Sequence, residues 1–159
     1  RFKVTPVSPV MILTVQVVIY IIYSVASLAL LYIVSTLFFG FHLLGSLPAF
    51  LGGYILVMLS IFSIGMMVGG ISPNSQTASV IASLLYFPML IFSGATLPYE
   101  VMPSALQKIA DILPLTQGIK ILKAASLGLP IENIFVPLIV MAVLAVICIG
   151  VSFRFFRWE

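Results

Sequence analysis

The residues MILTVQVVIYIIYSVASLALLYIVSTLFF (11–39) sit inside a run of 96 residues, Val4 to Tyr99, that contains no Asp, Glu, Lys or Arg. Its only titratable group near neutral pH is His42. A bilayer core about 30 Å thick takes roughly 20 apolar residues per helical crossing, so the run holds several crossings. A soluble core does not produce such a run, because soluble domains interleave charges to cover their surface. The whole chain agrees, being 62% hydrophobic and only 7% charged.

Outward from that stretch, turn chemistry divides the run. Gly40 to Pro48, with His42, Gly45 and Ser46, forms a first turn, and the cluster Ser72, Pro73, Asn74, Ser75, Gln76 a second. Crossings are therefore expected over about 11–39, 49–71 and 77–97, and a last uncharged run predicts a fourth over 134–153. The segment 98–133 carries Glu100, Lys108, Asp111, Lys120, Lys123 and Glu132. Within it Met102, Leu106, Ile109 and Leu113 recur at helical spacing until Pro114. A second amphipathic segment, Thr116 to Leu127, puts Ile119 and Leu122 opposite Lys120 and Lys123 and stops at Gly128. The expected fold is all-α and integral to the membrane: four crossings in a single domain over 1–159, with two short amphipathic or re-entrant helices between the third and fourth.

Basic residues flank both ends, Arg1 and Lys3 at one and Arg154 and Arg157 at the other. With an even number of crossings, both ends fall on one side, and the positive-inside rule makes that side cytoplasmic. The net charge of +3 is small and dispersed, which argues for orientation and against a nucleic-acid partner. Arg1 in place of an initiating Met reads as a start within a longer protein.

Catalytic chemistry is missing from the pattern. The sequence has no paired carboxylates, no Cys and His cluster, no glycine-rich phosphate loop and no acid within a crossing; Cys148 stands alone in the last one. The chain is thus expected to be no enzyme and to bind no metal. Ion-coupled transporters keep a charged group at membrane depth, and the crossings offer none. What they do carry is small and mildly polar. Gly65 and Gly69 make a GxxxG pair beside Gly70, and Ser75, Ser79 and Ser83 recur every fourth residue. Small faces of this kind serve helix packing in lipid, or a seam between subunits. Thr14, Gln16, Ser24 and Ser27 in the first crossing, and Ser83, Tyr86, Phe87 and Ser93 in the third, are candidates to border a path for an amphipathic or apolar substrate. The same residues also serve as ordinary contacts between helices.

An ordered series of motifs resembles a known family. Lys3-Val4-Thr5-Pro6-Val7-Ser8-Pro9 precedes a long crossing, Phe87-Pro88 leads into Phe92-Ser93-Gly94, and Leu97-Pro98, Met102-Pro103 and Leu113-Pro114-Leu115-Thr116 follow. Together these resemble the membrane permease of type-2 ATP-binding-cassette exporters, drug-exporter-like, of which the chain would be the C-terminal four-crossing part of a six-helix subunit. The resemblance implies an ATPase partner contacted through Arg1, Lys3, Thr5 and Pro6 and through Ser72, Asn74 and Gln76. ATP and Mg would bind that partner and no cofactor this chain. It further implies a second permease copy, a drug- or lipid-like substrate, a plasma-membrane location and an external cap marked by Gly94, Pro98, Met102, Pro103 and Pro114. Two other readings remain open at this point: a piece of an ion-coupled secondary transporter, and a structural membrane protein with no flux of its own.

Overall fold

The computed structural model describes residues 9–155, in which six α-helices and two short 3-10 turns occur and no strand. The chain divides into two units, residues 1–42 and 43–159. The first holds α1 (Pro9–Phe39), apolar on every side as suits a helix enclosed by lipid. Its occasional hydroxyls bond within the helix, Thr36 Oγ1 donating to the carbonyl of Tyr32. Gly40, at φ +60°, turns the chain out of it, and Phe41 meets Tyr32 edge-on at 6.4 Å between centroids.

The second unit contains α2 (Leu47–Ile71), α3 (Ser75–Phe92), α4 (Ser104–Ala110), α5 (Pro114–Leu127) and α6 (Phe135–Phe155), with 3-10 turns at Tyr99–Val101 and Ile131–Ile134. With α1, the helices α2, α3 and α6 are long and apolar enough to cross a membrane. Proline sets two starts, since Pro48 and Pro114 stand in the first turns of α2 and α5, where a backbone N–H has no helical partner to lose. Asn74 caps α3, its Oδ1 accepting from the Thr77 N–H at 2.7 Å.

The core lies where α2, α5 and α6 meet, around Val57, Ile121 and Met141. Serine hydroxyls cross-link α2 and α6: Ser60 Oγ shares its proton between Leu56 O at 2.8 Å and Met141 O at 2.9 Å, and Ser152 Oγ donates to Met66 O at 3.2 Å. In lipid such bonds and close backbone approach hold helices together, because apolar surface gains little by leaving hydrocarbon. Gly118 provides the close approach. A Cβ there would stand 2.7 Å from Cγ1 of Val57.

One boundary departs from the sequence reading. The third crossing was expected to continue to Leu97, whereas α3 ends at Phe92. Pro88 removes one N–H from the helix, and Gly94, at φ +85°, reverses the chain two residues after the last helical one. The apolar face of α5 also differs. Ile119 and Leu122 are only half-buried, and the buried face runs through Gln117, Gly118, Ile121, Ala124 and Ala125.

Candidate functional site

The polar chemistry of the second unit gathers in the helical connection between α3 and α6. It begins where α3 stops. The last carbonyls of a helix lack partners in the next turn, and here three hydroxyls take them. Ser93 Oγ donates to Leu90 O at 2.9 Å, Thr96 Oγ1 lies 3.1 Å from Leu90 O and 2.9 Å from Ile91 O, and Thr116 Oγ1 donates from α5 to Phe92 O at 3.3 Å. Ser93 and Thr116 are almost fully buried, so this is the point at which α5 is tied to the end of α3.

Beyond Gly94, Tyr99 and Glu100 meet the charged side chains of α5. The Tyr99 hydroxyl donates to the Asp111 carboxylate, 2.9 Å from each oxygen. Lys120 Nζ reaches Asp111 Oδ1 at 2.5 Å while lying 4.5 Å from the centre of the Tyr99 ring. Lys123 pairs with Glu100 at 2.7 Å. Partial burial pulls the Asp111 carboxyl upward, but the Lys120 and Tyr99 hydrogen bonds outweigh it and hold the group below the usual carboxylate range. The hydrogen bond from Lys123 likewise lowers Glu100, and desolvation with the Asp111 carboxylate alongside raises the Tyr99 phenol. Gln117 closes the cluster, its amide nitrogen donating to the Asp111 carbonyl at 2.5 Å and its buried Oε1 finding no protein donor.

These groups border a cavity of about 360 Å³, walled by Ser93, Gly94 and Pro98 on one side and Thr116, Lys120 and Lys123 on the other. Its two lysines are each matched by an acid, so it presents paired charges and hydroxyls and no net excess of either sign. No group of three His, Cys, Asp or Glu side chains stands close enough to hold a metal among the described residues.

Of the residues singled out from sequence, Ser93, Gly94 and Pro98 come together at this cavity. Met102 is buried, Pro103 precedes α4, and Pro114 is buried at the start of α5. Ser83, Tyr86 and Phe87 lie exposed along α3, the last two rings in tilted contact at 6.0 Å. Gln16 is on α1, donating to the Tyr20 hydroxyl at 3.2 Å. Gly65 and Gly69 face outward from α2 with nothing within 4 Å of a Cβ, and Ser79 is exposed with its hydroxyl on Ser75 O. Between α2 and α3, Ser72 Oγ is bound to Val68 O at 2.6 Å and Asn74 is the α3 cap, while Gln76 is exposed. Arg1, Lys3, Thr5 and Pro6 lie outside the described residues. Missing from the sequence reading were the pairings of Asp111 with Lys120 and of Glu100 with Lys123. The nine-residue separation of the first pair crosses a helix boundary, and no local spacing rule reaches across one.

Charge-free spans joined by one polar helical connection define a polytopic helical membrane protein. The chain belongs to the ABC-2 type transporter family, whose model matches residues 1–127. Nodulation protein J of Rhizobium leguminosarum bv. viciae is 33% identical over 99 residues, 62% of this chain and 38% of that protein. The inner membrane transport permease YhhJ of Escherichia coli (strain K12) is 30% identical over 80 residues, 50% of this chain and 21% of that one. The chain thus spans well under half the length of these curated relatives. No solved structure matches it.

Proposed function

We propose that this chain is the C-terminal, four-crossing part of a permease subunit in an ATP-driven exporter, forming with a second permease copy the path for an amphipathic or apolar, drug- or lipid-like substrate. The observation that carries this reading is the ABC-2 family match over residues 1–127 of a chain that has no charged side chain from Val4 to Tyr99. A path without an ion-binding charge takes its driving force from elsewhere, and a separate ATPase subunit holding ATP and Mg would provide it. That subunit would meet residues 1–6 and the turn at Ser72, Asn74 and Gln76. The permease would sit in the plasma membrane with Arg1 and Arg154 on the cytoplasmic side, which puts the cavity at Ser93 and Lys120 on the opposite face. Ser83, Tyr86 and Phe87 on α3, with Gln16 on α1, would border the path.

The test is purification of the complete gene product in mild detergent from its native host, followed by transport in vesicles. An ATPase with a G-x-x-x-x-G-K-[ST] loop should co-purify near one-to-one, and replacing that lysine should abolish transport. Transport that persists with the ATPase lysine replaced, and collapses with an ion gradient, would refute the reading.

A further inference from the structure

The cavity of about 360 Å³ between the end of α3 and α5 begins where an apolar span stops. Phe92 is the last residue of that span and Ser93 the first to line the cavity, which puts the space at the level of the lipid headgroups. Its buried hydroxyls are committed, since Ser93 Oγ and Thr116 Oγ1 each donate to a carbonyl of α3. Its ionic groups keep capacity to spare. Lys120 and Lys123, three residues apart on α5, stand one above the other on one helix face. Each ammonium spends one of its three N–H donors on a carboxylate, Asp111 for the first and Glu100 for the second. Glu100 lines the cavity beside them, and an ionised carboxylate accepts about four hydrogen bonds.

Charge balance selects the ligand. A simple anion drawn to the two lysines meets Glu100 and Asp111, and a simple cation drawn to the acids meets Lys120 and Lys123. A group that carries both an ammonium and an oxyanion satisfies both halves of the cluster. The pairs already present do not bar it. The side chains of Lys123 and Glu100 are 61% and 64% exposed, and an ion pair so exposed adds little net stability, so exchanging it for a ligand's charges costs little. Lys120 is the more firmly fixed lysine, held by Asp111 and by the Tyr99 ring. The volume falls within the roughly 300–1,000 Å³ of ordinary ligand cavities.

We propose that this cavity binds a zwitterionic group of ammonium and oxyanion, its oxyanion on Lys120 and Lys123 and its ammonium on Glu100. Two sources carry that chemistry, the phosphoethanolamine head of a membrane lipid and a free zwitterion in solution. The site is independent of the transport reading: it needs α5 and the end of α3, and neither an ATPase nor flux.

The test titrates the full-length protein in detergent with three probes: a short-chain phosphatidylethanolamine, a phosphatidylglycerol with the same chains, and soluble glycerophosphoethanolamine. Binding is read from the ligand-dependent rise in melting temperature, which follows mass action. Phosphatidylethanolamine should bind about tenfold more tightly than phosphatidylglycerol, because only the first supplies an ammonium to Glu100. Lys123→Met and Glu100→Gln should each weaken that binding about tenfold, the loss of one hydrogen bond to a charged group. Lys108→Met, on α4 and outside the cavity, should leave it unchanged. Lys123 and Glu100 are both exposed, and the melting temperature without ligand reports an intact fold in each variant. Comparable binding of glycerophosphoethanolamine assigns the site to the zwitterion itself, and binding of the lipid alone assigns it to a headgroup presented by the membrane. Equal affinity for the two lipids, or binding unaltered in both variants, would overturn the proposal. So would a failure of both zwitterions to bind.

Discussion

Replacing Gly45 by alanine adds one methyl group where a glycine lies directly against the backbone of another helix. The new Cβ would stand 1.9 Å from the carbonyl oxygen of Ala125 and 3.0 Å from the Gly128 nitrogen. Both neighbours are backbone atoms of a helix end, so no rotamer change relieves the overlap. The connection before α2 has to lift away from α5, and the two hydrogen bonds from Leu44 and Gly45 to Ser126 O go with it. At about 1 kcal/mol net per hydrogen bond, their loss alone destabilises by about 2 kcal/mol. Gly52→Ala is the matched control, because nothing lies within 4 Å of a Cβ at that position of α2. There the substitution should be neutral, or stabilise by up to about 1 kcal/mol through helix propensity. Thermal unfolding of the full-length protein in detergent measures both. With a shift of roughly 2–4 °C per kcal/mol for a chain of this size, Gly45→Ala should melt on the order of 4–8 °C below wild type. Equal melting temperatures for the two variants would refute the argument, since they would mean that the connection before α2 does not rest on α5.

Thr116→Val preserves shape while removing the hydroxyl on Phe92 O. It should cost about 1 kcal/mol and speed hydrogen exchange in the peptide over residues 90–96, with exchange in α6 unchanged. Ser60→Ala removes the bond to Met141 O between α2 and α6, which should cost about 0.6 kcal/mol by denaturant titration in mixed micelles. Acid should weaken the α3–α6 connection. The Asp111 carboxyl is held low, so its contribution is complete above the free carboxylate value of about 3.9 and disappears as pH falls through the depressed value. Asp111→Asn should flatten that part of the stability-against-pH profile, and Lys120→Met should flatten the same part.

The four spans were legible in the sequence because lipid excludes charge, and composition records that directly in the run from Val4 to Tyr99. The two helices α4 and α5 were legible for a similar reason, with Pro114 and Gly128 punctuating α5. The end of α3 was not. Leu97 is as apolar as the residues before it, and the carbonyls left free where α3 ends are taken by the hydroxyls of Ser93, Thr96 and Thr116, the last of them on a different helix. The face of α5 was misjudged because hydrophobic periodicity weights Ile119 and Leu122, whereas close packing in this fold favours Gly118 and Ala125.

The sequence by itself determined that this chain belongs in a bilayer, which of its segments are long and apolar enough to cross it, and which family its motifs resemble, since each follows from composition or from local order along the chain. The tertiary structure alone decided which small residues carry the packing. It put Gly45 and Gly118 inside and left Gly65 and Gly69 facing outward. It also decided which charges pair, joining Asp111 to Lys120 and Glu100 to Lys123. The physical reason is the same in both cases. A glycine's value and a charge's partner depend on what another helix brings within a few ångströms, and no spacing along one helix contains that distance.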